Sequence, residues 1–302
     1  MRSRTHATAA TVLIAVMVVA AIVLAIAWPV GRRNLILARS ALYALARERG
    51  RADYAQSLAN WQEVDSAHFI VRYQTPDADV VNLILQTAEQ SRARVTRDFG
   101  YTPTEKTLIA VYPTREALRE SFGWPASQSA VGVYWAGAIR LLSPHAWAPD
   151  DSPAELARVF RSAGPLVHEY THLVLDYLTD GNYPRWFTEG LAQWEEYRVT
   201  GYVWNDPAGD LADRTVNQLY SVHDLESGFD ALPNQALAYR ESLSLVTYLA
   251  QDDGGAKLKA VIAKLAQHYP LSFAVNAVYG QPMDQLENSW RAWAQRHPYP
   301  WK

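Results

Sequence analysis

The chain predicts an α+β fold, a small mixed sheet in the N-terminal half packed on a mainly helical C-terminal half. Three observations lead there. Strand-like apolar runs cluster between residues 68 and 142. From Ser152 onward the apolar residues recur at helical spacing. A stretch of 25 residues without a charge, 7–31, precedes both and is too apolar to belong to a globule.

That first stretch comes first along the chain. At ~1.5 Å per residue it spans roughly 37 Å as a helix, more than the ~30 Å hydrocarbon layer of a bilayer. Residues 1–33 therefore read as a membrane anchor or signal segment. Ala25-Ile26-Ala27 offers a small-x-small cleavage pattern, but the run exceeds the usual length of a signal core, so an uncleaved single-pass anchor is expected. Arg32, Arg33 and Arg39 outnumber Arg2 and Arg4, which by the positive-inside count places the C-terminal part in the cytoplasm. A domain as long as the remaining 269 residues can cross largely regardless of such charges, and an extracytoplasmic domain is the expectation.

Residues 34–60 predict a helical linker, rich in Ala, Leu and Arg and broken near Gly50. The main domain follows over 61–302, with a sheet part (61–150) and a helical part (151–302). Residues 68–73 alternate as a short strand. Residues 79–99 have helical spacing and stop at Gly100, a C-cap. TLIAVY at 107–112 is a continuous apolar strand ended by Pro113, and 115–122 a short helix. Residues 130–135 and 138–142 form a hairpin turning at Ala136-Gly137, with Tyr134 and Trp135 expected in the core.

Composition bounds the function. The chain is 49% hydrophobic and 12% aromatic, which excludes a disordered protein. Its net charge is −3, and −7 beyond residue 33, so nothing points to nucleic acid. The absence of cysteine excludes disulfides, thiolate zinc sites, iron–sulfur clusters and a cysteine nucleophile.

One motif carries chemistry. After Gly164-Pro165, with Pro165 suited to the first helical position, the helix contains His168-Glu169-Tyr170-Thr171-His172 and ends near Gly181, the expected left-handed cap. Histidines four apart lie about 40° apart around a helix, so both imidazoles can meet one metal ion. Glu169, about 100° from His168, can reach a water at that ion without ligating it. The surrounding positions are apolar, and buried imidazoles need partners that a metal supplies. Catalytic zinc takes a third protein ligand and keeps one open position. A second helix after Tyr183-Pro184 returns antiparallel and brings Glu189 alongside, with Gly190 allowing close backbone packing. Rivals for the third position are Asp176, Glu195, Glu196 and His223. Asp176 reads better as an acceptor for an imidazole N–H, and Glu195 and Glu196 as a solvated pair. The extended motif with a third histidine is absent, since Leu175 and Leu178 occupy its glycine and histidine positions.

His168-Glu169-x-x-His172 followed by Pro184-x-Trp186-Phe187-x-Glu189-Gly190-Leu191-Ala192 resembles the gluzincins, the thermolysin-like zinc metallopeptidases, and among them the bacterial peptidase MA-like proteins. The resemblance runs from about Trp61 to the C-terminus. It implies Zn2+ held by His168, His172 and Glu189, with Glu169 as general base. It also implies a later tyrosine or histidine on the oxyanion, for which Tyr239 matches best and Tyr248 and His223 are alternatives. Thermolysin carries an acid four residues past its third ligand; here that position is Gln193, so Asp176 is expected to substitute. An edge strand beside the active helix, 130–135 or 138–142, would align a peptide substrate, and residues 200–234 would rim the cleft. The implied activity is that of a membrane-anchored zinc peptidase acting on a peptide or protein. A silent binding protein on the same scaffold, or a zinc hydrolase of a non-peptide amide or ester, are the alternatives.

Overall fold

A run of apolar residues with no polar interruption makes a central strand, and Thr107–Tyr112 (β3) is buried at every position. The computed structural model describes residues 31–149, 152–202, 204, 211–251 and 255–297. The expected anchor, 7–31, lies outside the described residues except for Gly31. Among the described residues no helix is long and apolar enough to cross a membrane.

Around β3 the sheet runs β1-β2-β3-β5-β4, with β1 Gln62–Asp65, β2 Phe69–Tyr73, β4 Gly132–Trp135 and β5 Ala138–Leu142. β2, β3 and β5 are parallel, and the two outer pairs are antiparallel, which makes the sheet mixed. β1, mostly exposed, has no apolar alternation and was not foreseen. The hairpin turns where expected, with Ala136 and Gly137 both at positive φ (48° and 80°), which suits the twist of a two-residue loop. It leaves β4 as the free edge strand; β5 is paired on both sides. Trp135, expected in the core, is 63% exposed there, because it stands at the end of an edge strand.

Both faces of the sheet are covered. Ile109 and Val111 pack with α2 (Val81–Phe99) and with α5 (Leu166–Thr179). Leu108, Ala110 and Tyr112 face Leu58, Tyr54 and Leu118, the last from α3 (Arg115–Glu120). Tyr54 belongs to helical residues 31–57 (α1), which end just before Leu58. The helix does not break at Gly50 as the sequence suggested. A single glycine weakens a helix by ~1 kcal/mol without ending it, and here a Cβ would stand 3.3 Å from Ala136 Cβ, at the hairpin turn. α2 ends at Gly100 with φ 67°, as expected.

The remainder is helical: α4 Pro153–Ala163, α5, α6 Arg185–Thr200, α7 Val222–Gly228, α8 Gln235–Ala250, α9 Ala256–Leu265, α10 Leu271–Tyr279 and α11 Met283–Ala294. α5 lies between the two cores. Tyr170, Leu173 and Val174 join the sheet-side cluster, while Leu175 joins the helical cluster with Trp186, Leu191 and Trp290. Burial on both sides is why its sequence is apolar nearly all round. α5 begins one residue after Pro165 and is capped in the left-handed conformation by Asp180 (φ 48°), a residue earlier than Gly181. A short polar side chain tolerates that conformation, and Gly181 follows it at φ 71°. The close approach at Gly190 is made with α8: a Cβ there would lie 2.3 Å from the Ser242 carbonyl oxygen.

Candidate active site

The short connection between α5 and α6 forces the two helices to run back along each other, and this sets the site. Nε2 of His168 lies 3.4 Å, and Nε2 of His172 3.5 Å, from Oε2 of Glu189. One donor atom from each of the three residues falls within 4.8 Å of the others. Ligands at ~2.0–2.1 Å from a tetrahedral zinc stand roughly 3.3–3.4 Å apart. The two histidine–carboxylate separations therefore match tetrahedral edges, and the donor set of two imidazoles and one carboxylate fits zinc.

The other imidazole nitrogens are occupied. Nδ1 of His172 is 2.6 Å from the Thr188 hydroxyl, and Nδ1 of His168 is 3.4 Å from Oε2 of Glu196. Such partners set the tautomer so that Nε2 is the free donor. Asp176, expected in this role, does not fill it. It lies about 40° further round the helix than His172, on the Glu169 side, and accepts from the hydroxyls of Tyr134 and Tyr183 instead. Glu195 and Glu196, expected to be solvated, are both buried. The missed signal was spacing. Glu196 is seven residues past Glu189, two turns along the same face of α6, and so returns to the histidines.

Electrostatics follows from enclosure. Burial pulls the His168 imidazole down, but hydrogen bonds to Glu189 and Glu196 and the charges of Glu196 and Glu169 outweigh it and hold it well above the ordinary range. Burial raises the Glu189 carboxyl. The charges of Arg185 and His172, with hydrogen bonds from both histidines, override that and hold it well below the usual value. Arg185, absent from the sequence reading, places Nη2 2.8 Å from Oε1 of Glu189. Glu169 is pushed up, chiefly by burial and against the neighbouring imidazoles. Its Oε2 accepts the backbone N–H of Tyr134 at 2.6 Å. β4 approaches this closely because residue 132 is glycine: a Cβ there would lie 2.7 Å from Pro165 and 3.0 Å from Glu169 Cγ.

Of the candidates for the oxyanion, Tyr239 is brought to the cluster. It sits in the first turns of α8, where burial and the charge of Glu189 raise its hydroxyl against the charge of Arg185. Its ring meets Trp204 and Phe229 edge-on, at 5.5 and 5.3 Å. Tyr248 packs on Trp293, and His223 is exposed on α7. Gln193 ties α6 to α8, donating to the carbonyl oxygens of Glu189 and Tyr239.

A family model described as Peptidase MA superfamily matches residues 87–296. No curated protein matches the chain. Among solved structures, the chain is similar to Legionella pneumophila aminopeptidase A in complex with aspartic acid, at 12% identity and a TM-score of 0.49. That match covers 76% of this chain, which spans 28% of the length of the aminopeptidase.

Proposed function

The chain belongs to the Peptidase MA superfamily, and from that premise we propose that it is a zinc-dependent metallopeptidase with His168, His172 and Glu189 as its metal ligands. The observation that carries the reading is the pair of histidine–carboxylate separations of 3.4 and 3.5 Å, with Glu169 one residue along the same helix.

Zinc bound there supplies Lewis-acid polarisation of the scissile carbonyl and of the attacking water. The rest of the chemistry belongs to the protein. Glu169, its carboxyl raised by burial, takes the water's proton on a carboxylate oxygen and delivers it to the leaving amine nitrogen. Tyr239 donates its hydroxyl hydrogen to the developing oxyanion. Arg185 keeps Glu189 ionised and therefore a ligand. Thr188 and Glu196 hold the imidazoles in orientation. An extended peptide adds to the edge of β4 through the backbone groups other than the Tyr134 N–H, which Glu169 takes.

The uncharged run at residues 7–31 supports membrane anchoring, and the length of the domain that follows supports placing the catalytic part outside the cytoplasm, against the positive-inside count of Arg32, Arg33 and Arg39. Reporter fusions after Lys302 test that placement: an active β-galactosidase with an inactive alkaline phosphatase would reverse it. The activity is tested on the full chain by zinc stoichiometry and peptide-library digestion, with and without chelator. Glu169→Gln is expected to keep zinc and lose hydrolysis by orders of magnitude. A variant within tenfold of the parent protein refutes the general-base role.

A further inference from the structure

Residues seven apart on a helix lie about 20° apart, two turns up one face. On α5 that relation joins Glu169 to Asp176, and one residue of β4 touches both. The backbone N–H of Tyr134 donates to Glu169 Oε2 at 2.6 Å, and its hydroxyl donates to Asp176 Oδ2 at 2.5 Å. Asp176 is fully buried, and a buried carboxylate persists only when it is paired and its lone pairs are filled.

The pairing comes from outside the sheet and the helical half. Arg47 of α1, itself 6% exposed, donates from Nη1 to the Asp176 carbonyl oxygen at 3.1 Å and stands 3.4 Å from Oδ2. Its guanidinium lies 3.8 Å over the Tyr177 ring. Tyr183 donates its hydroxyl to Oδ1 at 3.0 Å. Tyr43, one turn before Arg47, has its hydroxyl pKa raised by burial and by the charge of the same carboxylate. The hydrolytic reading makes no use of this cluster, yet it ends on the edge strand that holds the general base.

We propose that Arg47 and Asp176 are positioning residues: by fixing the Tyr134 hydroxyl they hold the Tyr134 backbone N–H on Glu169, so that α1 is a working part of the catalytic unit. Two fixed points on one residue stop β4 from sliding along α5. The N–H engages one carboxylate oxygen and orients the other toward the attacking water. Arg47 acts as the anchor because its Nη1 both bonds the Asp176 backbone carbonyl and faces the Asp176 carboxylate, while its Nη2 reaches Asp180 at the end of the helix. The inference rests on Glu169 as the base, so its test includes a measurement independent of turnover.

The experiment uses the full zinc-loaded chain as Tyr134→Phe, Asp176→Asn, Arg47→Met and Arg47→Lys. Hydrogen exchange of the β4 peptide by mass spectrometry reads the Tyr134 amide; steady-state kinetics on one peptide reads kcat and KM. In Tyr134→Phe, which loses only a hydroxyl, the amide is expected to exchange at least tenfold faster. Its kcat falls about tenfold, with KM within twofold and zinc stoichiometry unchanged. Arg47→Met behaves alike, and Arg47→Lys recovers part of both signals. Should Arg47→Met fail to fold, Tyr134→Phe decides. An unchanged amide in folded Tyr134→Phe overturns the positioning role whatever the activity, as does a loss that appears in KM alone. A parent protein without peptidase activity refutes the hydrolytic reading instead, and there the exchange rates still report whether Asp176 holds β4.

Discussion

Replacing Glu241 by Gln is expected to change how stability depends on pH while leaving the fold alone. Glu241 lies on α8 and is fully buried. Its Oε1 accepts the Tyr220 N–H at 3.0 Å, and its Oε2 has no hydrogen-bond partner among the described residues. Burial raises its pKa from 4.5 to about 8, against the Tyr220 hydrogen bond and the charges of Arg291 and Arg214. The native state thus keeps a proton that the unfolded chain gives up near pH 4.5. Stability from this group is complete below that pH and is lost as pH rises towards about 8. The slope reaches at most ~1.4 kcal/mol per pH unit, so the loss over the window amounts to a few kcal/mol. Gln keeps an oxygen for Tyr220 and has no proton to lose. Urea unfolding at pH 5, 6, 7 and 8 checks the outcome: the two proteins are near parity at pH 5, and the variant is the more stable at pH 8. Glu195, raised to about 7 mainly by burial, tilts both curves the same way and cancels in their difference. Parallel curves from pH 5 to 8 would refute the claim that Glu241 is buried protonated.

Gly190→Ala places a Cβ against the Ser242 carbonyl, which is backbone and cannot swing aside. Destabilisation of ~3 kcal/mol or more is expected, at the top of the range for overpacking, and thermal unfolding measures it. Thr188→Val removes the Nδ1 partner of His172 and should weaken zinc binding about 10- to 100-fold with the fold intact, read by competition with a chromogenic chelator. Glu189→Gln is expected to lose zinc altogether, while Glu196→Gln retains it with lowered affinity; full zinc in Glu189→Gln would identify the wrong third ligand. Tyr239→Phe should lower kcat by about 10² to 10³ with zinc content unchanged, as for loss of one oxyanion donor.

Local sequence determined more of the active site than of its support. His168 and His172 share a face, with Glu169 about 100° from His168, because spacing along a helix is a local fact, readable without any neighbour. The α5–α6 return made Glu189 legible too, since a short turn between two helices leaves them only one way to run. β3 was visible because a strand covered on both faces is apolar through its centre, Leu108 to Val111, and the hairpin because Ala136-Gly137 is a local turn. What tertiary structure decided was partnership at a distance. Asp176 was read against the nearest imidazole, but its partner Arg47 lies 129 residues away on a helix taken for a linker. Gly50 was read as a break from propensity alone, whereas packing against the hairpin turn keeps the helix whole. Glu195 and Glu196 look solvated in a row of polar residues, and only the placement of α2 and α5 around α6 buries them. Spacing along one element fixes which side chains can share a face; which buried charge finds which partner is set by how elements far apart in the chain are brought into contact.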